Sequence, residues 1–319
     1  MNEIVLLLPE WRRCAGSARI ATATLARWTA RGDRLESAQA SFEGGLESCF
    51  DWPGRTLSIA ALSRQDDCGD AAGSAWLRAD PAHVRADMTT ARMLACGELG
   101  LDAAECAAIA RELKPLFGDA GFEFDAPRSD RWYLRAPSGS QLPQCASPDH
   151  AMGDDLKLHL PEGASGRRWR QLFNDAQVIL HNHPVNARRA ARGAVSVNSL
   201  WFWGAGQLPG FVRSALGGVL SERAEIRALA RLAGLSPETL GGTKWLEVLD
   251  AAAPASAVLL DLVELRDSAL QDDWLAPLET ALAGGRIDQL MLRFASGERF
   301  RIRRSDRWRF WRAVRGLQA

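Results

Sequence analysis

Two continuous apolar runs most constrain how this chain folds, because each has the length of one buried strand. They are Ile4–Leu8 near the amino terminus and Ala257–Val263 towards the other end. Unbroken rather than alternating apolarity is typical of a strand covered on both faces, as in a parallel sheet. The first run is followed by a stretch of helical character at Ala18–Ala30. A strand followed by a helix predicts an α/β layered fold.

Length and charge set the class of protein. A chain of 319 residues suits one large domain or two ordinary ones. Its 39 basic and 39 acidic residues give no net charge, so bulk electrostatics do not favour nucleic acid as a partner. The sequence has no stretch approaching the ~20 apolar residues of a membrane span, and we expect no membrane partner.

Cellular location is inferred from the cysteines and the first residues. The six cysteines are scattered and form no C-x-x-C pair, which favours free thiols in a reducing compartment. The opening apolar run follows Glu3 and no basic residues, unlike a signal peptide. We therefore expect a cytoplasmic protein.

Hydrophobic periodicity predicts further elements along the chain. The expected helices are Leu101–Leu116, Gly166–Leu180, Glu222–Ala233, Asp272–Ala283 and a basic, tryptophan-rich terminal helix over Asp306–Arg315. The expected strands are Ala75–Leu77 (running into Arg78–Met88), Arg131–Arg135, Ser199–Trp203, and a hairpin of Gln289–Phe294 with Arg299–Arg303. The segment Ser41–Gly73 gives no clear pattern beyond a short helix near Leu57–Leu62.

The segment from His181 to Gly206 concentrates side chains that hold anionic oxygens. It reads HNHPVNARRAARGAVSVNSLWFWGAG, and Arg, Asn and His bind oxyanions through forked or charge-assisted hydrogen bonds. The candidate anion ligands are His183, Asn186, Arg189, Arg192 and Asn198. Two alternatives stand beside this reading: surface arginine in an arginine-rich chain, and a loop that His183 and Asn186 fix through backbone hydrogen bonds.

These motifs resemble the cofactor-independent phosphoglycerate mutases of the archaeal type. The resemblance rests on H-P-V-N, an Arg three residues later, R-G, and a strand that ends G-x-G. Asp80–Asp87, which reads D-P-x-H-x-R-A-D, resembles the motif in which an Arg helps to bind the phosphoglycerate, and adds Arg85 and Asp87 as candidates. Ala224–Leu235 and Ser256–Leu265 continue the resemblance in the same order. The chain also looks like a bacterial group of mutase-like regulatory proteins from pathogenicity-factor regulation clusters.

The resemblance implies an alkaline-phosphatase-like architecture. A layered α/β domain would be built from both chain ends, residues 1–74 and 191–319. An α+β domain resembling the family's substrate-binding domain would be inserted between them, over residues 75–190.

The family's chemistry needs a metal site that the matching positions here do not supply. Its reaction uses a hydroxyl nucleophile and two divalent metals held by Asp and His. The first ligand turn here is Leu8-Pro9-Glu10, and residues 35–75 contain Ser58 and Ser63 but no His. The later ligand turn is replaced by Phe294–Gly297, and no His follows His183. We therefore expect no catalytic residues, no metal or other cofactor, and no mutase activity.

Three functional hypotheses remain. The first is a pseudoenzyme with a regulatory role, which captures a small phosphorylated or carboxylated metabolite through Arg85, Arg189 and neighbouring Asn groups. The second is an active phosphoryl-transfer enzyme, a phosphoglycerate mutase or phosphatase, with Mn²⁺ or Mg²⁺ on carboxylates alone. Its metal ligands would be Glu10, Asp261, Glu264 and Asp267. The third is a structural scaffold without a ligand.

The basic and aromatic stretch Arg299–Arg315 bears on possible macromolecular partners. Basic residues interleaved with aromatic ones can contact nucleic acid. We favour the ordinary alternative, a terminal helix that docks its tryptophan face and leaves a basic edge in solvent. A protein partner at this local charge excess is also consistent with the sequence.

Overall fold

The computed structural model describes residues 2–16, 21–54, 56–87, 90–137, 140–253, 256–265 and 269–314. The chain divides into two compact units. Unit 1 comprises Met1–Thr56 and Gly210–Ala319, and unit 2 comprises Leu57–Pro209.

Strands and helices alternate over much of the described chain. The strands are β1 (Glu3–Leu8), β2 (Asp33–Arg34), β3 (Phe50–Asp51), β4 (Ala75–Ala86), β5 (Ala91–Cys96), β6 (Glu123–Asp125), β7 (Tyr133–Ala136), β8 (Ser199–Gly206), β9 (Arg213–Ser214), β10 (Leu216–Leu220), β11 (Ala257–Asp261), β12 (Gln289–Phe294) and β13 (Arg299–Arg303). The α-helices are α1 (Trp11–Gly16), α2 (Ala21–Arg31), α3 (Phe42–Leu46), α4 (Ile59–Cys68), α5 (Ala103–Asp119), α6 (Pro148–Ala151), α7 (Gly163–His181), α8 (Pro184–Ala191), α9 (Ala224–Leu232), α10 (Lys244–Ala251) and α11 (Ala276–Gly284). A π-helical turn, Leu270–Leu275, runs directly into α11, and 3₁₀ turns cover Leu156–Leu158 and Arg304–Trp308.

Unit 1 is built on a six-stranded sheet of order β10-β11-β1-β12-β13-β2. Strands β10, β11, β1 and β12 are parallel, with Leu6 paired to Leu260 on one side and to Leu292 on the other. The two apolar runs that opened the sequence argument therefore lie side by side, and their leucines are buried because helices cover the sheet. The predicted α/β class and the hairpin of β12 and β13 are confirmed.

Parallel pairing has a consequence for function in unit 1. All four parallel strands end at the same edge of the sheet, so the residues that follow them come together there. In open α/β sheets this carboxyl edge is where ligand sites form. The side chains after β1, β10, β11 and β12 are therefore the first place to look for chemistry.

Unit 2 is an α+β arrangement around an antiparallel sheet. The order β5-β4-β7-β6 is extended by β8, which pairs with β4 along most of its length. Helices α5 and α7 pack on the sheet over an aromatic core that includes Phe117, Trp169 and Phe202. Asp102 caps α5 through its side chain, which accepts from the Glu105 amide, while Glu105 accepts from the Asp102 amide.

The boundaries of unit 2 differ from the expected 75 and 190. Helix α4 and strand β8 both belong to unit 2, because Ser58 donates a hydrogen bond to the carbonyl of Gly204 at 2.9 Å and β8 pairs with β4. Gly204 has φ +69°, and a Cβ there would lie 3.0 Å from Ile59. The close approach of α4 to β8 therefore requires glycine at this position.

The predicted terminal helix over Asp306–Arg315 is wrong; Arg315 itself lies outside the described residues. A single 3₁₀ turn, Arg304–Trp308, is held by Asp306, which accepts from the Arg303 amide at 2.8 Å. Three aromatic side chains after Arg307 are then left exposed: Trp308 at 63%, Phe310 at 77% and Trp311 at 70%. Within the described ranges, the structure contains no helix with both the length and the apolarity to cross a bilayer.

Candidate functional site

Asp261 is the only one of the four proposed metal ligands that the structure shows buried at the carboxyl edge of unit 1, and it is paired with an arginine. It ends β11 and is 4% exposed. Arg223 reaches it from the residues after β10, donating from Nε to Oδ2 and from Nη2 to Oδ1, both at 2.7 Å. Ser221 donates to Oδ2 at 2.6 Å. Both oxygens of the carboxylate are thus occupied by a forked ion pair and a hydroxyl.

The pairing with Asp261 dominates the ionisation of Arg223. Burial alone would lower the pKa of Arg223, but the adjacent Asp261 carboxylate raises that pKa above its ordinary value. The Arg223 guanidinium also lies 5.6 Å from the centre of the Phe42 ring. Arg223 is therefore a fixed positive charge at the edge where the resemblance would place metal ions.

The other proposed metal ligands do not join Asp261 in a cluster. Glu10 and Glu264 are exposed, and Asp267 lies outside the described residues. Trp11, which follows Glu10, stacks on Phe300 at 5.5 Å and meets Phe294 edge-on at 4.9 Å. Across the part of the chain that is described, no three His, Cys, Asp or Glu side chains lie close enough to hold a metal ion.

The conspicuous HNHPVN segment forms a helix start in unit 2. His183 caps α8, and its Nδ1 accepts from the Val185 amide at 3.2 Å. Asn186 donates to the carbonyls of Leu180 at 2.7 Å and Val197 at 2.8 Å, and accepts from the Val197 amide at 2.9 Å. These side chains satisfy main-chain groups where α7, α8 and the approach to β8 meet, in agreement with the loop-fixing alternative.

Arg189 is fully buried, at 0% exposure. It donates from Nε to the Val195 carbonyl at 2.7 Å, from Nη1 to Glu105 at 2.8 Å, and also to the carbonyls of Gly100 and Leu99. The structure therefore differs from the expected anion ligand: this guanidinium ties α8 to the start of α5 and presents no surface to a ligand.

The remaining predicted anion ligands are spread along the same part of unit 2. Arg192 is half exposed and pairs with Glu105 at 2.7 Å, on the oxygen that Arg189 leaves open. Asn198 holds β4 by accepting from the Val84 amide at 2.8 Å and donating to its carbonyl at 2.7 Å. Arg85, the next residue, is exposed, as is Asp87, whose amide bonds Thr90. Of this set, Arg85, Asp87 and Arg192 reach solvent.

A buried polar network in unit 2 was not predicted. Asp80 accepts from Arg78 at 2.8 Å and from the indole of Trp203 at 2.7 Å, and burial raises the pKa of Asp80. Nearby, Asp67 accepts from Arg131 at 2.6 Å and from the Tyr133 hydroxyl at 2.6 Å. Burial alone would raise the pKa of Asp67, but these hydrogen bonds lower it below its ordinary value.

The sequence carried a partial signal for these contacts. Asp80 opens the motif that drew attention to Arg85, but nothing in the motif indicates that its carboxylate is buried. Arg223 follows a buried strand, as Asp261 ends one, so parallel strand order was the only clue that the two would meet. Asp67 lies within Ser41–Gly73, where periodicity was weak.

Comparisons with known proteins relate part of the sequence to phosphoglycerate mutases. The chain is 31% identical over 110 residues to the 2,3-bisphosphoglycerate-independent phosphoglycerate mutase of Methanosarcina mazei, covering 33% of this chain and 28% of that protein. It is 29% identical over 130 residues to the Methanosarcina barkeri enzyme, covering 39% and 32%. A probable mutase of Geobacter sulfurreducens is 34% identical over 93 residues, covering 28% and 23%. Each match thus spans about a third or less of the relative's length.

Solved structures with a similar chain course include two archaeal proteins. The cofactor-independent phosphoglycerate mutase of Thermoplasma acidophilum aligns with TM-score 0.44 and 15% identity, covering 95% of this chain and 89% of that one. A Pyrococcus horikoshii protein aligns with TM-score 0.46 and 13% identity, covering 95% and 87%. No protein-family model matches the sequence.

Proposed function

We propose that this protein is a phosphoglycerate-mutase-like protein that does not transfer phosphoryl groups and acts by binding. The single observation that carries the proposal is the forked pair between Arg223 and Asp261 at the carboxyl edge of unit 1. Similarity to the mutases supports the family, and the pairing supports the loss of their chemistry.

The physical argument concerns competition for one carboxylate. A metal ion at Asp261 would have to displace Arg223, leaving a largely buried guanidinium without its partner. Removing one partner of a buried ion pair costs several kcal/mol, of the order of 3–5. Two-metal catalysis also needs several Asp and His ligands around the reacting oxygens. The aromatic packing of Trp11 on Phe294 and Phe300 fills part of this edge instead.

The binding role that we propose is regulatory and cytoplasmic, as in the bacterial regulatory group that the sequence resembles. Its ligand is a small phosphorylated or carboxylated metabolite. In unit 2 this role falls to Arg85 and Arg192, which reach solvent, and not to the buried Arg189.

The alternative is an active phosphoryl-transfer enzyme with Mn²⁺ or Mg²⁺ on carboxylates. The observation that favours it is that Glu10 and Asp261 follow neighbouring parallel strands, β1 and β11, and so lie at one edge. Glu264 and Asp267 come shortly after Asp261 in the chain. In this reading Arg223 would move off Asp261 when metal binds.

Metal content and turnover separate the two hypotheses. The purified full chain is assayed for bound metal and for interconversion of 3- and 2-phosphoglycerate with added Mn²⁺ or Mg²⁺, with the Methanosarcina mazei enzyme as positive control. We expect no stoichiometric metal and no turnover. Metal-dependent turnover that Asp261→Asn abolishes would overturn the proposal and establish the carboxylate site.

A further inference from the structure

A pocket in unit 1 combines an arginine-rich rim with an apolar floor. It lies between α2, α11 and the turn after β13, and its volume is about 220 Å³. Trp28, Leu282 and Ile302 form the floor, and each is less than 10% exposed. Five arginines and two carboxylates complete the lining, which gives it a formal charge of +3. This excess of positive charge lies away from the carboxyl edge and from the HNHPVN segment.

The two carboxylates of the lining are already paired. Glu279 accepts two hydrogen bonds from Arg27 Nη2, at 3.0 and 2.8 Å. Asp306 accepts from the Arg303 amide at 2.8 Å and lies 3.2 Å from Arg309. Neither carboxylate therefore neutralises the remaining arginines of the rim.

Those remaining arginines keep most of their hydrogen-bonding capacity. Arg31 donates from Nη1 to the Arg307 carbonyl at 3.1 Å, and its Nε is buried without a partner among the described residues. Arg307 makes one long bond, at 3.4 Å, to the carbonyl of Ala283. The Arg304 side chain makes no hydrogen bond or ion pair with any other residue of the described ranges. Guanidinium groups left in this state favour an oxyanion as partner.

We propose that this pocket binds an organic anion with a small apolar body and a phosphate or carboxylate group. The body would lie on Trp28, Leu282 and Ile302, and the anionic group would accept from Arg31, Arg304 and Arg307. A volume of 220 Å³ equals about seven water molecules at roughly 30 Å³ each, which fits a body of one ring. A few convergent polar groups over an apolar floor are the usual composition of a small-molecule site.

The inference rests on the proposed binding role, for which it supplies a site and a ligand class. It favours a small anion over a polyanion because the floor is recessed and buried. A nucleic acid would instead use the exposed rings of Trp308, Phe310 and Trp311, which are not part of the lining.

Three probes dissect the two halves of the pocket in calorimetric titrations of the full chain. Phenyl phosphate carries both the ring and the anion, inorganic phosphate carries the anion only, and benzyl alcohol carries the ring only. We expect phenyl phosphate to bind about tenfold or more tightly than inorganic phosphate, a difference of about 1.4 kcal/mol. Benzyl alcohol should not bind measurably.

Variants at exposed positions test the location of the site without disturbing the core. Arg304→Gln with Arg307→Gln should weaken phenyl phosphate about tenfold or more. Ala283→Phe fills the pocket from an exposed lining position, so it should weaken phenyl phosphate while leaving inorganic phosphate unchanged. The matched control is Arg111→Gln with Arg188→Gln, two exposed arginines of unit 2. Thermal melting checks that every variant is folded.

Three results would overturn the pocket. They are no phenyl phosphate binding at millimolar concentration, equal binding by the Arg304/Arg307 variant, and preferential binding of single-stranded oligo(dT) that this variant loses. The last would assign the surface to nucleic acid. Metal-dependent mutase turnover on the same preparation would sink the proposed function instead, so the two failures are distinguishable.

Discussion

Arg189 in unit 2 and the arginine-rimmed pocket in unit 1 are opposite uses of the same side chain. Arg189 lies in the motif that attracts attention in the sequence, yet it is fully buried and its donors are used by Glu105 and three carbonyls. Arg304 lies in an unremarkable basic stretch, and its guanidinium has no partner among the described residues. The comparison teaches that motif position does not tell which arginine can bind a ligand. The partners already committed to each guanidinium decide it.

The largest effect should come from breaking the buried member of this comparison. Arg189→Ala leaves Glu105 and the carbonyls of Leu99 and Val195 without their donor, and we expect a loss of about 3–5 kcal/mol in the free energy of unfolding. Urea unfolding measures it. Arg192→Ala is the matched control, because Arg192 pairs with the same Glu105 from the surface, where loss costs about 0–1 kcal/mol. Equal losses for the two variants would contradict the structural role of Arg189.

The pair between Arg223 and Asp261 comes next, because Arg223 is partly exposed. Asp261→Asn weakens a forked ion pair, and we expect a loss of about 2–3 kcal/mol in the free energy of unfolding. The variant Arg223→Met with Asp261→Leu should recover most of that loss, since a buried pair can be replaced by apolar side chains at little cost. Unfolding curves of the single and double variants form the test. Stabilisation of the wild type by Mn²⁺ that Asp261→Asn abolishes would point to a metal site instead.

The pH dependence of unit 2 should follow Asp67. Its pKa is lowered in the folded protein, so its stabilising contribution is present above the ordinary Asp pKa of about 3.9 and is lost as the pH falls through the lower folded value. Asp67→Asn should cost about 1.5 kcal/mol at neutral pH, and this gap should narrow below about pH 4. Asp119→Asn, at an exposed position, is the control. A gap that is constant with pH would show that the Asp67 charge contributes nothing.

The sequence predicted those parts of the structure in which a local pattern dictates the result. Unbroken apolarity predicted β1 and β11, and the alternation around Ser296-Gly297 predicted the β12–β13 hairpin. The unit boundary was misplaced because α4 is fixed by a tertiary contact with Gly204 and not by its own periodicity. The terminal helix failed because Asp306 caps a single turn, a contact that no spacing rule anticipates.

The candidate site was predictable in its negative part only. The absence of His after His183 can be read directly from the chain, whereas the pairing of Arg223 with Asp261 needs the order of parallel strands. The pocket joins residues from α2, α11 and the segment after β13, which are far apart in sequence. Such a site depends on which helices pack on which strand, and that is settled by the fold as a whole.

The smallest effect on stability should come from the pocket arginines, and this sharpens the comparison with Arg189. Arg304→Gln removes an exposed side chain without a partner among the described residues, so the free energy of unfolding should change by less than about 0.5 kcal/mol. The same change should weaken phenyl phosphate, whereas Arg192→Gln should not. Unfolding curves recorded with and without phenyl phosphate report both quantities, because a ligand that binds the folded state raises its stability in proportion to ln(1 + [L]/Kd). An Arg304→Gln protein that loses stability but keeps the ligand-induced rise would make this guanidinium a structural group like Arg189, and the distinction between the two regions would fall.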